Sequence, residues 1–283
     1  MKKNIWIGAA VIVLAALIGG ASVWKGARRS PRPAAPAAQA PAAQAPPVAG
    51  SFSALLEEAQ DLVQKGELLK AQRILREMLG RFVTDPRIED VQRQLEAVNM
   101  RILVSGLIVP GHTAQREIVA GDTLSMIADE YRTTIAFLMQ QNGLTSDVIR
   151  QGQILRVWTG RLTVVVDKSQ NTLTLLSDGE LIKTYPVSTG ADNITPVGTF
   201  KIVTKLQKPA WTREGRVIPY GDPQNILGTR WMGFDIPGYG IHGTTDATNI
   251  GKQVTAGCMR MRNEDVEELY DLLPVNTEVT IMD

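Results

Sequence analysis

"RLTVVVDKSQNTLTLLSDGELIKTYPVSTG", residues 161–190, decides the fold class of the C-terminal part of this chain. Thr163–Val166 and Thr172–Leu176 are rich in β-branched and aliphatic residues and flank the polar turn Asp167–Asn171, which reads as two strands rather than a helix. Asp178-Gly179 is a pair that tolerates the positive φ angles of a tight hairpin turn, and Leu181–Val187 follows as a third strand. Further along, Thr199–Thr204 and Glu278–Met282 have the same character. Asn263 is placed to cap a helix over residues 264–273, which Pro274 ends. Residues 161–283 are therefore expected to form a mainly-β, antiparallel domain with one helix near its end.

The composition narrows the chemistry. The chain has 283 residues, room for about two ordinary domains. Lys and Arg total 30 against 29 Asp and Glu, so the basic excess expected of a nucleic-acid binder is absent. The single cysteine, Cys258, excludes an intramolecular disulfide and a multi-cysteine zinc site. With only two histidines, His112 and His242, no metal and no cofactor is expected.

Upstream the chain is modular. Met1-Lys2-Lys3 is basic, Asn4–Trp24 carries no charge, Trp6 and Trp24 lie near its ends, and Lys25, Arg28 and Arg29 follow. Residues 1–29 are read as a transmembrane signal anchor, with cleavage near Gly19-Gly20-Ala21 as the other reading. Either way the remainder is exported to the cell envelope. Residues 30–50 form a Pro/Ala-rich linker. Residues 51–104 read as a tetratricopeptide-like helical hairpin, with Ala59 and Ala71 at the crossing and a third helix over about 86–100. Such a unit either packs on a neighbouring domain or docks a protein partner.

Residues 116–158 contain a short strand at Ile118–Val119, a helix capped by Asp122 or Thr123 with Leu124, Ile127 and Ala128 inward, a second helix with Ile135, Phe137 and Leu138, an Asn142-Gly143 stop and a strand at Ile154–Val157. Val119, Gly121-Asp122-Thr123-Leu124, Leu138, Asn142, Leu144, Ile149, Gly152-Gln153 and Leu155 together resemble a LysM module. The resemblance implies a βααβ fold that grips N-acetylglucosamine-containing glycans. The groove it implies lies near Gly121, Asp122 and Thr123 and from Asn142 to Ile149. His112, just upstream, reads as a solvated linker residue.

The chemistry-bearing segment is "IHGTTDATNIGKQVTAGCMRMRN", residues 241–263. Gly240 and Gly243 flank Ile241-His242, and Gly257 directly precedes Cys258. A cysteine attacks acyl carbon as thiolate, and near neutral pH an unassisted thiol supplies only a few per cent of it. An adjacent imidazole would take the proton and return it to the leaving group. Backbone N–H groups near Gly257 and at Cys258 would serve a developing oxyanion. On these two residues alone, a small buried thiol and a loop histidine are the better-supported reading.

Ser188-Thr189-Gly190, Thr195-Pro196, Gly198, Arg230-Trp231, His242-Gly243-Thr244, Gly251 and Gly257-Cys258-Met259-Arg260 resemble the YkuD-type L,D-transpeptidase catalytic domain over residues 161–283. The resemblance implies that Cys258 is the nucleophile and His242 the base and acid, with the Gly243 carbonyl fixing the imidazole tautomer. It also implies a substrate-binding role for Gly257, Thr244 and Arg260, the last toward a carboxylate, with a structural salt bridge as its other reading. Tyr220 and Trp231 would line the cleft, with core packing as the other reading of Trp231. Two departures bear on specificity: Ala256 stands where many members have His or Lys, and Arg260 where others have Asn. The implied activity is attack on peptidoglycan stem peptides and 3→3 cross-linking through an acyl-enzyme. L,D-carboxypeptidase action and a non-enzymatic peptidoglycan-binding scaffold are the alternatives. The expected partners are glycan strands and stem peptides, with the membrane at the N-terminus.

Overall fold

The structure, a computed structural model, describes residues 49–283. The segment read as a signal anchor, and all but the last two residues of the linker, lie outside the described residues. Among those described, no helix is long and apolar enough to cross a membrane.

Three helices come first: α1 (Phe52–Gln64), α2 (Leu68–Arg81) and α3 (Ile88–Val104). Ser51 caps α1 by accepting from the Ala54 N–H. Ala59 and Ala71 are fully buried where α1 and α2 cross. The third helix runs four residues beyond its expected end, because Ile102 and Leu103 continue the buried stripe of Val91, Leu95 and Val98.

The next module is β1 (Thr113–Glu117), α4 (Leu124–Tyr131), α5 (Ile135–Gln141) and β2 (Ile154–Trp158), with β1 and β2 antiparallel. Three readings need correction. The first strand ends at Glu117, before Ile118–Val119; Ile118 still bonds Gln153 and Gly152 by its backbone, while Val119 is exposed. Thr123, not Asp122, caps α4, since its hydroxyl accepts from the Met126 N–H. Ile135 is exposed, leaving Phe137 and Leu138 as the buried pair of α5.

The C-terminal domain opens with β3 (Leu162–Asp167), β4 (Thr172–Ser177) and β5 (Glu180–Pro186), the three strands of the opening stretch. Asp178 and Gly179 both take positive φ at the β4–β5 turn, as a tight hairpin requires. There follow β6 (Thr189–Gly190), β7 (Gly198–Gln207), a short hairpin of β8 (Trp211–Arg213) and β9 (Arg216–Ile218), β10 (Arg230–Phe234) and β11 (Gly240–His242). The chain ends with β12 (Gln253–Thr255), β13 (Met259–Arg260), α6 (Asn263–Leu272) and β14 (Glu278–Met282). Eight of these strands form one sheet in the order β13-β11-β10-β7-β14-β3-β4-β5. It is mixed rather than antiparallel throughout: β13 lies parallel to β11, and β14 parallel to β3.

The modules are not beads on a string. One core cluster contains Leu75 and Leu103 of the helical unit, Phe137 and Trp158 of the second module, and Val164, Ile241 and Leu269 of the C-terminal domain. The second module keeps a smaller core of its own around Ile127, Leu138 and Leu155. Polar contacts follow the same seams. The Trp158 indole N–H donates to Ser177 Oγ at 2.9 Å, Gln141 Nε2 donates to the Leu103 carbonyl at 3.0 Å, and Thr134 Oγ1 donates to the Asp271 carbonyl at the end of α6. His112 belongs to this seam rather than to solvent: its ring stacks on Trp158 at 5.4 Å, and Nδ1 lies 3.2 Å from Asp178.

The helical unit packs on the outermost strand, β5. Asn99, 1% exposed, donates to the Leu181 carbonyl of β5 at 2.8 Å and accepts from Gln72. Arg76 pairs with Glu180 at the same edge. The unit thus covers a strand edge that would otherwise present unpaired backbone to other chains. Asn99→Ala should destabilise the chain by about 1–3 kcal/mol, because the half-buried Leu181 carbonyl loses its donor and Gln72 its acceptor. Urea unfolding monitored by circular dichroism checks this; an unchanged midpoint would mean the bond contributes nothing.

Candidate active site

The parallel pairing of β11 and β13 builds the site. Its register sets Ile241 beside Met259 and His242 beside Arg260. Side chains alternate across a sheet. Ile241 and Met259 therefore face the core, where both are fully buried with Val266 and Leu269 of α6. His242 and Arg260 face the other way. Cys258, two residues before Arg260, continues that second face opposite Gly240, and its thiol donates to the Gly238 carbonyl at 3.4 Å. The nucleophile and base candidates are thus diagonal neighbours on one face.

The imidazole is held from three sides. Its Nδ1 lies 2.6 Å from the Gly243 carbonyl oxygen, so Nδ1 carries the proton and Nε2 keeps its lone pair. Trp231, cross-strand from His242, stacks its half-buried indole on the ring at 5.9 Å and 24°. That places Trp231 at the site rather than in the core proper. Burial pushes the imidazole down to about 4, and the Arg260 charge pushes the same way against the Gly243 hydrogen bond. The thiol of Cys258 is raised above its ordinary value of 9.0 by burial, against the pull of Arg260. At neutral pH the resting pair is therefore thiol and neutral imidazole.

The nucleophile sits on a braced loop. Thr255 Oγ1 donates to the Cys258 carbonyl at 2.7 Å and accepts from the Gly257 N–H at 3.1 Å. Thr195 Oγ1 donates to the Gly257 carbonyl at 2.8 Å. Gly257 has φ +118°, and a Cβ there would run into the Tyr239 ring, so no other residue fits. One expectation changes: the Gly257 N–H is already engaged by Thr255. The Cys258 N–H makes no such bond among the described residues and is the donor left for an oxyanion.

Arg260 has no ion-pair partner within the described residues, and its buried Nε has no hydrogen-bond partner. The salt-bridge reading of this residue is set aside on that ground. Its backbone is fixed by a reciprocal pair of bonds to Ser188. Thr244 is buried, and its hydroxyl is occupied by the Asp246 backbone. Tyr220 is exposed and lines a cleft of about 230 Å³ with Asp222, Asn225, Thr229, Thr245 and Asn263. Asn263 does not cap α6. The preceding residue, Arg262, takes the cap position, and the Asn263 side chain turns instead toward the loop after His242. Sequence reasoning missed Thr255 and gave Thr195 no role beyond its place in the family motif; both roles arise from contacts across the fold.

In the second module a cavity of about 560 Å³ is lined by Leu144, Thr145, Ser146, Val148, Arg150 and Gln153, among others. Asn142 flanks it, bridging to the Arg156 N–H and carbonyl with its amide. Ile149 packs on the module core. Gly121 takes positive φ, Asp122 accepts from the Val119 N–H, and Thr123 caps α4, so these three shape the β1–α4 loop and do not line that cavity. No cluster among the described residues is suited to a metal ion.

The two perturbed groups predict how the thiol reacts. Burial raises the thiol and lowers the imidazole, so both are uncharged between about 4 and 9.0. Alkylation of Cys258 by iodoacetamide should therefore be slow at neutral pH and accelerate only above pH 9.0. A rate that reaches its plateau near neutrality would mean that the resting pair is thiolate and imidazolium.

Residues 161–281 match the model of the YkuD family, the L,D-transpeptidase catalytic domain, and residues 117–158 that of the LysM domain. YqjB of Bacillus subtilis, provisionally named an L,D-transpeptidase, is 40% identical over 42% of this chain and 70% of its own. YkuD of Bacillus subtilis, named in the same way, is 34% identical over 58% of this chain and 96% of its own. Among solved structures, the L,D-transpeptidase from Mycobacterium smegmatis aligns at 19% identity over 48% of this chain and 76% of its own, with a TM-score of 0.39. With relatives matched over most of their own length, this chain belongs to the L,D-transpeptidase family, enzymes of acyl transfer, and carries a LysM domain beside its catalytic one.

Proposed function

We propose that the protein is an exported peptidoglycan L,D-transpeptidase that works through a Cys258 acyl-enzyme and forms 3→3 cross-links. The observation that carries this reading is the placement of Cys258 and His242 on one sheet face under an unpaired Arg260. A neutral imidazole with a free Nε2 is the form needed to take a proton.

In the first step His242 Nε2 accepts the thiol proton as the sulfur of Cys258 attacks the carbonyl carbon of an L-centre–D-centre peptide bond in a donor stem. The carbonyl electron pair moves to oxygen, where the Cys258 N–H stabilises it. Collapse breaks the C–N bond, and His242 returns the proton to the departing amine of the terminal D-residue. A thioester remains. An amine from a second stem then loses its proton to His242, attacks the thioester and releases the thiol. Arg260 suits the donor's carboxylate, since a guanidinium grips a carboxylate in a fixed geometry. The Trp231 face would receive the apolar part of the stem. Anchoring of the N-terminal segment in a membrane would keep the enzyme at the envelope.

Glycan binding is assigned to the cavity bounded by Leu144 and Val148. Because Phe137 and Trp158 are buried in the shared core, removing the whole module would expose that core, so a point substitution tests the groove better. Val148 is 69% exposed at the cavity wall. Val148→Asp should weaken sedimentation with purified peptidoglycan at least about tenfold, the scale of 1.4 kcal/mol, while leaving turnover of soluble stem peptides intact. Loss of both would contradict a glycan-only role.

The central test is intact-protein mass spectrometry after incubation with a carbapenem and, separately, with a stem tetrapeptide. The wild type should gain one adduct with each, the tetrapeptide adduct lacking the terminal residue. Cys258→Ala should gain neither while still sedimenting with peptidoglycan. An adduct on Cys258→Ala, or none on the wild type, would overturn the mechanism. Muropeptide products separate the acceptors: dimers joined 3→3 indicate an amine, and tripeptides alone indicate water.

A further inference from the structure

The His242–Gly243 hydrogen bond has an unusual far end. The carbonyl that receives Nδ1–H belongs to the peptide unit between Gly243 and Thr244. Its other end, the Thr244 N–H, donates to Asn263 Oδ1 at 3.1 Å. Asn263 also holds the following peptide unit, since its Nδ2 donates to the Thr244 carbonyl at 2.9 Å. The same Oδ1 accepts from the Thr229 N–H at 3.2 Å. A Cβ at Gly243 or Gly228 would collide with Oδ1, so both glycines are there to let the amide approach.

We propose that Asn263 is the positioning residue of the catalytic pair, acting on His242 through the Gly243–Thr244 peptide unit. The chain of bonds runs from Asn263 Oδ1 to the Thr244 N–H, through the peptide to the Gly243 oxygen, and on to His242 Nδ1–H. Two effects follow. The peptide plane is fixed, so the imidazole keeps the tautomer that leaves the Nε2 lone pair free. Accepting at the N–H end also enriches the carbonyl oxygen, because hydrogen bonds in a chain polarise one another. A richer oxygen better supports the imidazolium that forms as Cys258 attacks. The buried carboxylate of a serine-protease triad does this work directly; here an uncharged amide does it at one remove. This inference rests on the assignment of His242 as the base.

The charged and titratable groups facing His242 are Cys258 and Arg260 from β13 and its lead-in. On the β10 side the neighbour is the uncharged Trp231, while Arg230 turns away to Glu267 and Tyr270. Asp246, farther along the histidine's own loop, lies within the field of Arg260. On the Asn263 side the charges are Arg230, which donates to the Thr229 carbonyl, and Glu267, with which it pairs, so a net charge introduced at 263 has a readable effect.

The test compares Asn263→Ala and Asn263→Asp with the wild type. Rates of carbapenem acylation, kcat and KM for a stem tetrapeptide, and the nitrogen NMR shifts of His242 are the measurements. Asn263→Ala should lower acylation and kcat roughly 10- to 100-fold, the usual cost of removing a partner that orients a catalytic ligand, with KM within about threefold. Its imidazole should show a mixture of tautomers. Asn263→Asp keeps both acceptor bonds but sets a second oxygen against the Thr244 carbonyl, so it should recover part of the loss. Its added charge should also move the acid limb of the rate profile to higher pH, since an anion near the ring favours the imidazolium. If Asn263→Ala fails to fold, Asn263→Asp alone decides. An unmoved acid limb, or an unchanged tautomer and rate in Asn263→Ala, would overturn the proposal. So would an Asn263→Asp loss as large as that of Asn263→Ala with the wild-type tautomer in both. Failure of the His242 assignment is distinguishable, because Cys258 would then acylate at the wild-type rate in His242→Ala.

Discussion

The register of two short parallel strands carries the chemistry. β11 and β13 share only two residue pairs, yet those pairs set an imidazole beside a guanidinium and bring a thiol from sixteen residues downstream onto the same face. A slip by one residue would turn His242 into the core and Ile241 into the cleft. The register is fixed because the alternate face is wholly apolar: Ile241, Met259 and Met261 are all fully buried. Core packing beneath the sheet and chemistry above it are therefore two outcomes of one constraint. The bonds from Ser188 to Arg260 and from Met261 to His242 extend the pairing past the strands themselves.

The electrostatics are built around uncharged partners. Nothing anionic touches His242. Its Nδ1 proton goes to a backbone carbonyl, its face to Trp231, and its neighbour Arg260 repels a second positive charge. Such a site keeps its base unprotonated well below neutrality, at the expense of thiolate at rest. The unpaired Arg260 beside it suits a substrate that brings its own negative charge.

Much of this was legible along the chain. The β3–β4–β5 meander followed from alternation and from Asp178-Gly179, whose positive φ angles the hairpin needs. The helical stripes around Ala59, Ala71, Val91 and Leu95 followed from their period. What escaped was set by partners far away in sequence. Asn263 has the residue type and position of a helix cap, and a local reading can assign it nothing else; its amide is drawn instead to Thr229 and Thr244. His112 looked like a linker residue because Trp158, on which it stacks, stands on the other side of the module. Thr195 and Thr255 are ordinary loop residues until the fold brings them to the nucleophile's loop. The mixed character of the sheet was hidden for the same reason, since strand direction depends on connections rather than on composition.

The shared core has a consequence for how such a chain can be rebuilt. Phe137 and Trp158 fill space that Val164 and Leu269 also border, and α5 is tied to the end of α6 through Thr134. The sugar-gripping module cannot be exchanged for a relative's by cutting at the short Thr159-Gly160 joint, because the graft would arrive with the wrong shape for the socket. Any change in one module's packing is felt by its neighbours, so melting should be a single event.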